Sequence, residues 1–433
     1  VVWPQKSSNT FIHHPLRKGI DMNPENLVLP ELEPAKERSI TVPSYAWVIL
    51  FVVFLASVAA PLNQFKVPPL MPVLMDAFQL NLSQAGMLMS VFALTGLILA
   101  LPAGIIMHKL GPKVAGLVAV GFLASGSTLG ALSNSTELLL ASRVIEGVGM
   151  GLIAVVAPAT IALWFPREKQ GIPMGIWATW VPVGSVIMYN LAPALATSAG
   201  WHAVWWFGAG FALVVFLLYW LLMRLPPSLT GGQESTPGGP ENAMPKLREG
   251  LANRNIWLLA LEFGCFALVF TAFGTFFPTF LSAERGYSLA QAAFISSIAT
   301  MVILGSAPLA GWVSDRIGSR KLVYTIPFAI ITVMLLFPFR LTGWQLLVFM
   351  VLLGSLTGAV PTATFAAVPE VMSKPQLAGI GMAVLMVGQN LGMFVGPAAF
   401  GNLVEATGWV TAGYLLIPVA MVGIIAGWLV RVR

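Results

Sequence analysis

The chain has 433 residues, of which 57% are hydrophobic and only 9% charged, with a mean hydropathy of +0.83. That is too little polar surface to cover a water-soluble globule of this size, so the composition excludes a soluble domain and predicts an integral membrane protein. The formal net charge of +6 does not point to nucleic acid, because the bases sit in short loops between apolar runs, where they set membrane orientation.

Residues 1–42 are polar, with prolines and both signs of charge, and hold no apolar core long enough for a signal peptide. The chain opens Val1-Val2 and its first methionine is Met22; both starts stand, and the first 21 residues are assigned no function. From Pro43 onward, apolar runs of the roughly 20 residues needed to cross a bilayer as helices recur with short polar breaks. They cover 44–76, 84–107, 112–132, 137–164, 171–197 and 202–223, then 256–281, 289–312, 322–340, 345–368, 376–402 and 409–430. Between the two sets, Pro226-Pro227-Ser228, Gly231-Gly232-Gln233-Glu234 and Pro237-Gly238-Gly239-Pro240 read as a flexible linker. The predicted organisation is a tail (1–42), a six-helix bundle (43–223), a linker (224–255) and a second six-helix bundle (256–433). Of the 23 lysines and arginines, only Lys66, Arg143, Arg285 and Arg340 fall away from one set of loops, which places both termini in the cytoplasm and the chain in the inner (plasma) membrane.

The two sets repeat. Gly104-Ile105-Ile106-Met107-His108-Lys109-Leu110-Gly111-Pro112-Lys113 and Gly311-Trp312-Val313-Ser314-Asp315-Arg316-Ile317-Gly318-Ser319-Arg320-Lys321 share their glycines at a spacing of 207 residues, and Gly147 and Gly354 repeat that spacing. Gly184 and Gly392 differ by 208. Each copy resembles the loop between the second and third helices of a half in the major facilitator superfamily, the twelve-helix secondary transporters. The resemblance covers nearly all of 43–433 and implies an all-α membrane fold of two pseudo-symmetric bundles around a central pocket. It also implies a conformational gate at Gly104, His108, Lys109, Gly111, Gly311, Asp315, Arg316, Gly318 and Arg320, in which the aspartate sits at a helix N-terminus or pairs with arginine. His108 stands where the first copy should carry the aspartate, which weakens that latch or makes it pH-sensitive.

An ionisable residue within a span costs about 2.5–3.5 kcal/mol on insertion scales and is by default a functional candidate. Lys66 follows Asn63 and Gln64 and precedes Pro68, Pro69 and Pro72, which bend the first span and free carbonyls towards a cavity. Two readings of its ammonium stand: attraction of an anionic solute, or snorkelling to the outer headgroups. Arg143 and Glu146 share one helix face. Arg143-Val144-Ile145-Glu146-Gly147 resembles the superfamily's fourth-helix pattern, which implies proton coupling or ordering of the cavity; a structural ion pair is the other reading. Glu262 lies about 12 Å into the seventh span at 1.5 Å per residue, with no base within a turn, the setting of a proton-coupling carboxyl. Its alternative is a helix-end residue in a wet vestibule. Tyr189-Asn190 and Gln389-Asn390 offer neutral substrate contacts beside Asn63, Gln64 and Lys66. Gly392-Met393-Phe394-Val395-Gly396-Pro397 resembles the glycine-rich antiporter helix of the superfamily, and Trp177, Trp180, Phe270 and Phe273 either line the cavity or pack.

The single cysteine, Cys265, excludes an intramolecular disulfide, and His13, His14, His108 and His202 are not spaced as a metal site. No phosphate-cradling loop or Ser-His-Asp set appears, so neither an ATPase nor an intramembrane enzyme is expected, and no cofactor. The expected function is movement of a small anionic solute by alternating access, driven by a proton or by exchange, in a monomer. Asn63 to Pro72 and the segment after it look most like the cyanate/nitrate-permease-like and organic-anion branches. An exporter of lipophilic drug- or lipid-like compounds and a non-transporting sensor are the rival readings.

Overall fold

A computed structural model describes residues 42–99, 102–166, 169–226, 248–372, 374 and 377–431. The tail expected over 1–42 therefore lies, but for Val42, outside the described residues, as does most of the linker. The described residues form twelve crossing segments: α1 (Ser44–Phe78), α2 (Leu82–Leu99), α3 (Pro102–Ala131), α4 (Thr136–Trp164), α5 (Gly171–Ala199), α6 (Trp201–Leu222), α7 (Arg254–Ala283), α8 (Leu289–Ile317), α9 (Arg320–Met334), α10 (Trp344–Val371), α11 (Ala378–Thr407) and α12 (Trp409–Leu429). Eleven are long and apolar enough to span a bilayer; α9, with 15 residues of helix, is the exception.

Proline chemistry explains where these helices break. A proline cannot donate to the carbonyl four residues back, so a helix readily stops there. Regular helix in α1 ends at Gln64, four before Pro68; α5 is interrupted after Ala178, four before Pro182; α9 ends at Met334, four before Pro338; α10 is interrupted after Thr357, four before Pro361. The expected ninth span, 322–340, is thus shorter as a helix because Pro338 ends it and turns carry the chain onward. In α3, Gly111 takes φ 73° and ψ 164°, a conformation that favours glycine, and breaks the helix just before Pro112.

The duplication is visible as a repeated packing contact. A Cβ on Gly147 of α4 would lie 2.5 Å from the carbonyl oxygen of Phe92 on α2, and one on Gly354 of α10 would lie 2.3 Å from that of Ala299 on α8. Adding 207 to 92 gives 299, so the same backbone approach is used in each half.

Contacts between halves run from the middle of the spans to the end opposite the basic loops. There, Glu405 of α11 accepts from the backbone N–H of Ser83 at the start of α2 (3.1 Å), and Ser90 Oγ accepts from the N–H of Ala398 (3.2 Å). Asn190 Nδ2 on α5 donates to Ser297 Oγ on α8 (3.3 Å), and the Tyr189 hydroxyl donates to the carbonyl of Gly274 on α7 (3.0 Å). In this conformation the halves are joined at that end.

Candidate functional site

The first half buries a charged cluster in its own core. Lys66, Arg143 and Glu146 have no exposed surface, and Asn63 is equally inaccessible. The Lys66 ammonium donates to Glu146 Oε1 (2.6 Å), Asn63 Oδ1 (2.9 Å) and Ser127 Oγ (2.9 Å), and lies 4.6 Å from the Trp205 ring centre. Its three protons are thereby committed to α1, α3 and α4. Arg143 pairs with the other oxygen of Glu146 and stacks over Phe92 at 4.6 Å. The rest of its guanidinium donates to three backbone carbonyls: Leu88 (3.0 Å), Asn63 (2.7 Å) and Gln64 (3.2 Å).

The last of these bonds ties the cluster to the broken helix. Pro68 has no N–H to offer the Gln64 carbonyl, and an unmatched buried carbonyl is costly, so Arg143 supplies the missing donor from α4. The break in α1 also lets Lys66 turn inward. Of its two expected directions, cavity or headgroups, it takes neither: a carboxylate on another helix of the same half draws it into the core.

The duplicated positions contain no counterpart. Residues 63, 66, 127, 143 and 146 correspond at the 207-residue spacing to Phe270, Phe273, Met334, Met350 and Leu353. Phe273 packs against Phe277 and Phe349 at ring separations of 4.5 and 6.2 Å, and Phe270, Phe273 and Leu353 line a narrow apolar gap. One half is held by charge and the other by aromatic packing.

Glu262 stands apart, inside the second half between α7, α9, α10 and α12. It is 1% exposed. Its Oε2 accepts from Thr364 Oγ1 (3.3 Å), whereas Oε1 has no partner among the described residues. Tyr324 and Gly427 pack beside it, the Tyr324 hydroxyl donating to the Gly427 carbonyl (3.0 Å). Sequence reasoning placed Glu262 by depth and missed Thr364, because a partner 102 residues away leaves no local pattern.

The neutral candidates lie on the seam between halves in two places. Tyr189 and Asn190 meet α7 and α8 as described above, and Tyr189 also faces Phe65 at 6.4 Å. Asn390 lies against Gly96 of α2 while its Nδ2 donates to the Met386 carbonyl (2.8 Å), and Gln389 beside it is half-buried. Trp177 donates to Ser57 Oγ (2.9 Å) and stacks on Trp180 at 5.8 Å; Phe270 and Phe273 belong to the second half's packing.

At the basic end, Gly318 caps α8 in the left-handed region (φ 69°) and Ser319 starts α9. Asp315 pairs with Arg320 at 2.5 Å, and Arg320 also reaches Glu370 of α10 at 3.2 Å and Ser314 Oγ at 2.9 Å. Arg316 stacks on Trp312 at 5.3 Å. Glu370 was not singled out from sequence. All of these residues belong to the second half, so here the cluster ties the α8–α9 turn to α10. In the first copy Gly104 and Lys109 are exposed and Gly111 makes the break in α3; the side chain of His108 lies outside the described residues.

Comparison with known proteins assigns the architecture. The chain is 24% identical over 378 residues to a probable sulfoacetate transporter of Cupriavidus necator, covering 83% of this chain and 87% of that one. It is 24% identical over 392 residues to a hexuronate transporter of Bacillus subtilis (85% and 90%), and 27% identical over 394 residues to a chloramphenicol resistance protein of Streptomyces lividans (86% and 94%). Its fold is similar to that of a bacterial homologue of the human lysosomal transporter Spinster, solved inward-facing and unoccupied, with a TM-score of 0.74 and 18% identity over 90% of this chain and 96% of that one. The family model of the Major Facilitator Superfamily matches residues 53–368 and 304–433. Twelve crossing helices, a duplicated half and this match together make the chain a multi-span membrane transporter, not an enzyme, and a member of the Major Facilitator Superfamily.

Proposed function

We propose that this protein moves a small organic anion across the membrane by alternating access, as a monomer whose termini and basic loops face the cytoplasm. The observation that carries the reading is the buried cluster of the first half. With all three groups ionised, Lys66 and Arg143 outnumber Glu146, leaving one positive charge in a region of low dielectric, where its attraction for an anion extends further than in water. The relatives named for sulfoacetate and hexuronate support the same class of cargo. Asn63, Gln64 and Lys66 act on the solute through that field, while Tyr189, Asn190, Gln389 and Asn390 on the seam supply direct neutral contacts.

Proton coupling is assigned to Glu262, Arg143 and Glu146. Glu262 is buried and, among the described residues, has an oxygen without a donor and no basic partner, features of a carboxyl that exchanges a proton as the halves rock. The gate residues Gly104, His108, Lys109, Gly111, Gly311, Asp315, Arg316, Gly318 and Arg320 then belong to the cytoplasmic side, and the contacts of Glu405, Ser90, Asn190 and Tyr189 to the outer closure.

The test is uptake into liposomes reconstituted with the purified protein, using labelled sulfoacetate and labelled hexuronate with and without an imposed pH gradient. Saturable anion uptake, competed by other organic anions, is the expected result. Binding without flux, or flux of lipophilic compounds such as chloramphenicol and none of the anions, would overturn the reading. Within the same assay Glu262→Gln should abolish proton-driven uptake and spare anion exchange; equal loss of both removes Glu262 from the coupling step.

A further inference from the structure

A cavity of about 390 Å³ opens at the end of the second half opposite the basic loops, between the last turn of α7, the turn joining α9 to α10, and the junction of α11 with α12. Its floor is apolar. Phe280 and Phe339 are 3% and 5% exposed, their rings lie 4.9 Å apart edge to face, and Trp409 closes the wall at 5.5 Å from Phe280. Its rim is charged, with Glu284 and Arg285 side by side.

Neither charge is used up by the protein. Arg285 spends Nη2 on the Phe339 carbonyl (2.8 Å) and lies 5.4 Å from the Phe280 ring centre, which fixes the guanidinium over the mouth. Glu284 accepts from Trp409 Nε1 through Oε1 (3.0 Å), and its Oε2 has no donor among the described residues. Depth is set by the neighbours: Trp344 is 72% exposed and Arg340 stacks on Tyr414 at 5.4 Å, the mixture of aromatic and basic side chains found at the headgroup level of a bilayer.

We propose that this cavity binds the phosphoethanolamine headgroup of a membrane phospholipid. The phosphate takes the guanidinium fork of Arg285, the primary ammonium donates to Glu284 Oε2, and the glycerol and first acyl carbons cover Phe280, Phe339 and Trp409. Adjacent opposite charges select a zwitterion. A phosphoglycerol headgroup brings its negative charge to Glu284 with no cation to offset it. A phosphocholine headgroup has no N–H to donate to the carboxylate.

The test is native mass spectrometry of the purified protein exchanged into equimolar phosphatidylethanolamine, phosphatidylglycerol and phosphatidylcholine of matched acyl chains. Wild-type protein should retain phosphatidylethanolamine preferentially. Arg285→Ala should lower its retention about tenfold, Arg285→Lys should lower it less, and Glu284→Gln should remove the preference over phosphatidylglycerol. Both residues are exposed, and an unchanged melting temperature confirms that the variants fold. Equal retention of the three lipids by the wild type, retention indifferent to Arg285→Ala, or displacement of the lipid by millimolar inorganic phosphate would each overturn the assignment.

Discussion

Removing Lys66 tests whether the buried cluster is a coupled network or a set of independent contacts. Lys66→Met deletes the donor of Asn63 Oδ1, Ser127 Oγ and Glu146 Oε1 while keeping most of the side-chain volume. Glu146 keeps its pair with Arg143, so the cost is that of buried acceptors left without the ammonium, about 1–3 kcal/mol. At about 2–4 °C per kcal/mol, this half should show a fall in apparent melting temperature of roughly 2–12 °C. Glu146→Leu should cost more, about 3–5 kcal/mol, since it leaves two buried cations without their carboxylate. The double variant Lys66→Met/Glu146→Leu should be less damaged than the two singles summed, by about 1–3 kcal/mol. In it Arg143 loses Glu146 but keeps its bonds to the Leu88, Asn63 and Gln64 carbonyls, and the repulsion from a second buried cation is gone. The second half goes one step further, with Phe273, Met350 and Leu353 at the positions corresponding to Lys66, Arg143 and Glu146. The assay is thermal unfolding of the four proteins in one detergent, followed by anion uptake. A wild-type melting curve for Lys66→Met, or strict additivity in the double variant, refutes the network. An unchanged KM for the anion in the double variant would leave the cluster a scaffold and remove the basis of the anion reading.

The remaining predictions concern the two ends of the molecule. Glu405→Ala removes the acceptor of the Ser83 N–H, one of the contacts that hold α2 against α11, and should shift the population towards molecules separated at that end. Spin-label distances between the start of α2 and the end of α11 report it, and an unaltered distance distribution counts against the closure. Asp315→Asn takes one of two carboxylates from Arg320, leaving Glu370. Because Asp315 is 68% exposed, the effect on stability should stay within about 1 kcal/mol. Turnover should slow with KM unchanged, and wild-type turnover would remove Asp315 from the gate.

The parts of this molecule that follow from local chemistry were legible in the sequence. Apolar runs set the spans, and Pro68 marks the bend in the first; the breaks before Pro182, Pro338 and Pro361 were not read from sequence, because prolines such as Pro158, Pro278 and Pro397 sit inside continuous helices. The spacing of Gly147 and Gly354 marks a repeated backbone approach that only a missing side chain permits. The partners of the charged residues were not legible. Periodicity shows that Arg143 and Glu146 share a face, but which helix crosses that face depends on packing angles that no short window encodes. Ser127, Thr364, Glu370 and Glu405 were missed for this reason.

Lys66 is the most instructive of these. Both expectations for it, an open cavity or the headgroups, assume that an ammonium in a span must seek solute or water. A third solution exists when another helix of the same half offers a carboxylate and the chain is already broken next to the lysine. That solution requires three things together: a break that frees the turn, a carboxylate at matching depth, and a further cation to engage the carbonyl that the break leaves unmatched. Pro68, Glu146 and Arg143 meet those requirements in the first half. At the duplicated positions the second half has Thr275, Leu353 and Met350, so no charged network can form and the space is filled by Phe270 and Phe273. The asymmetry therefore follows from a few positions in a duplicated frame, and it leaves a buried cluster with one excess positive charge in the first half and a buried carboxyl, Glu262, in the second.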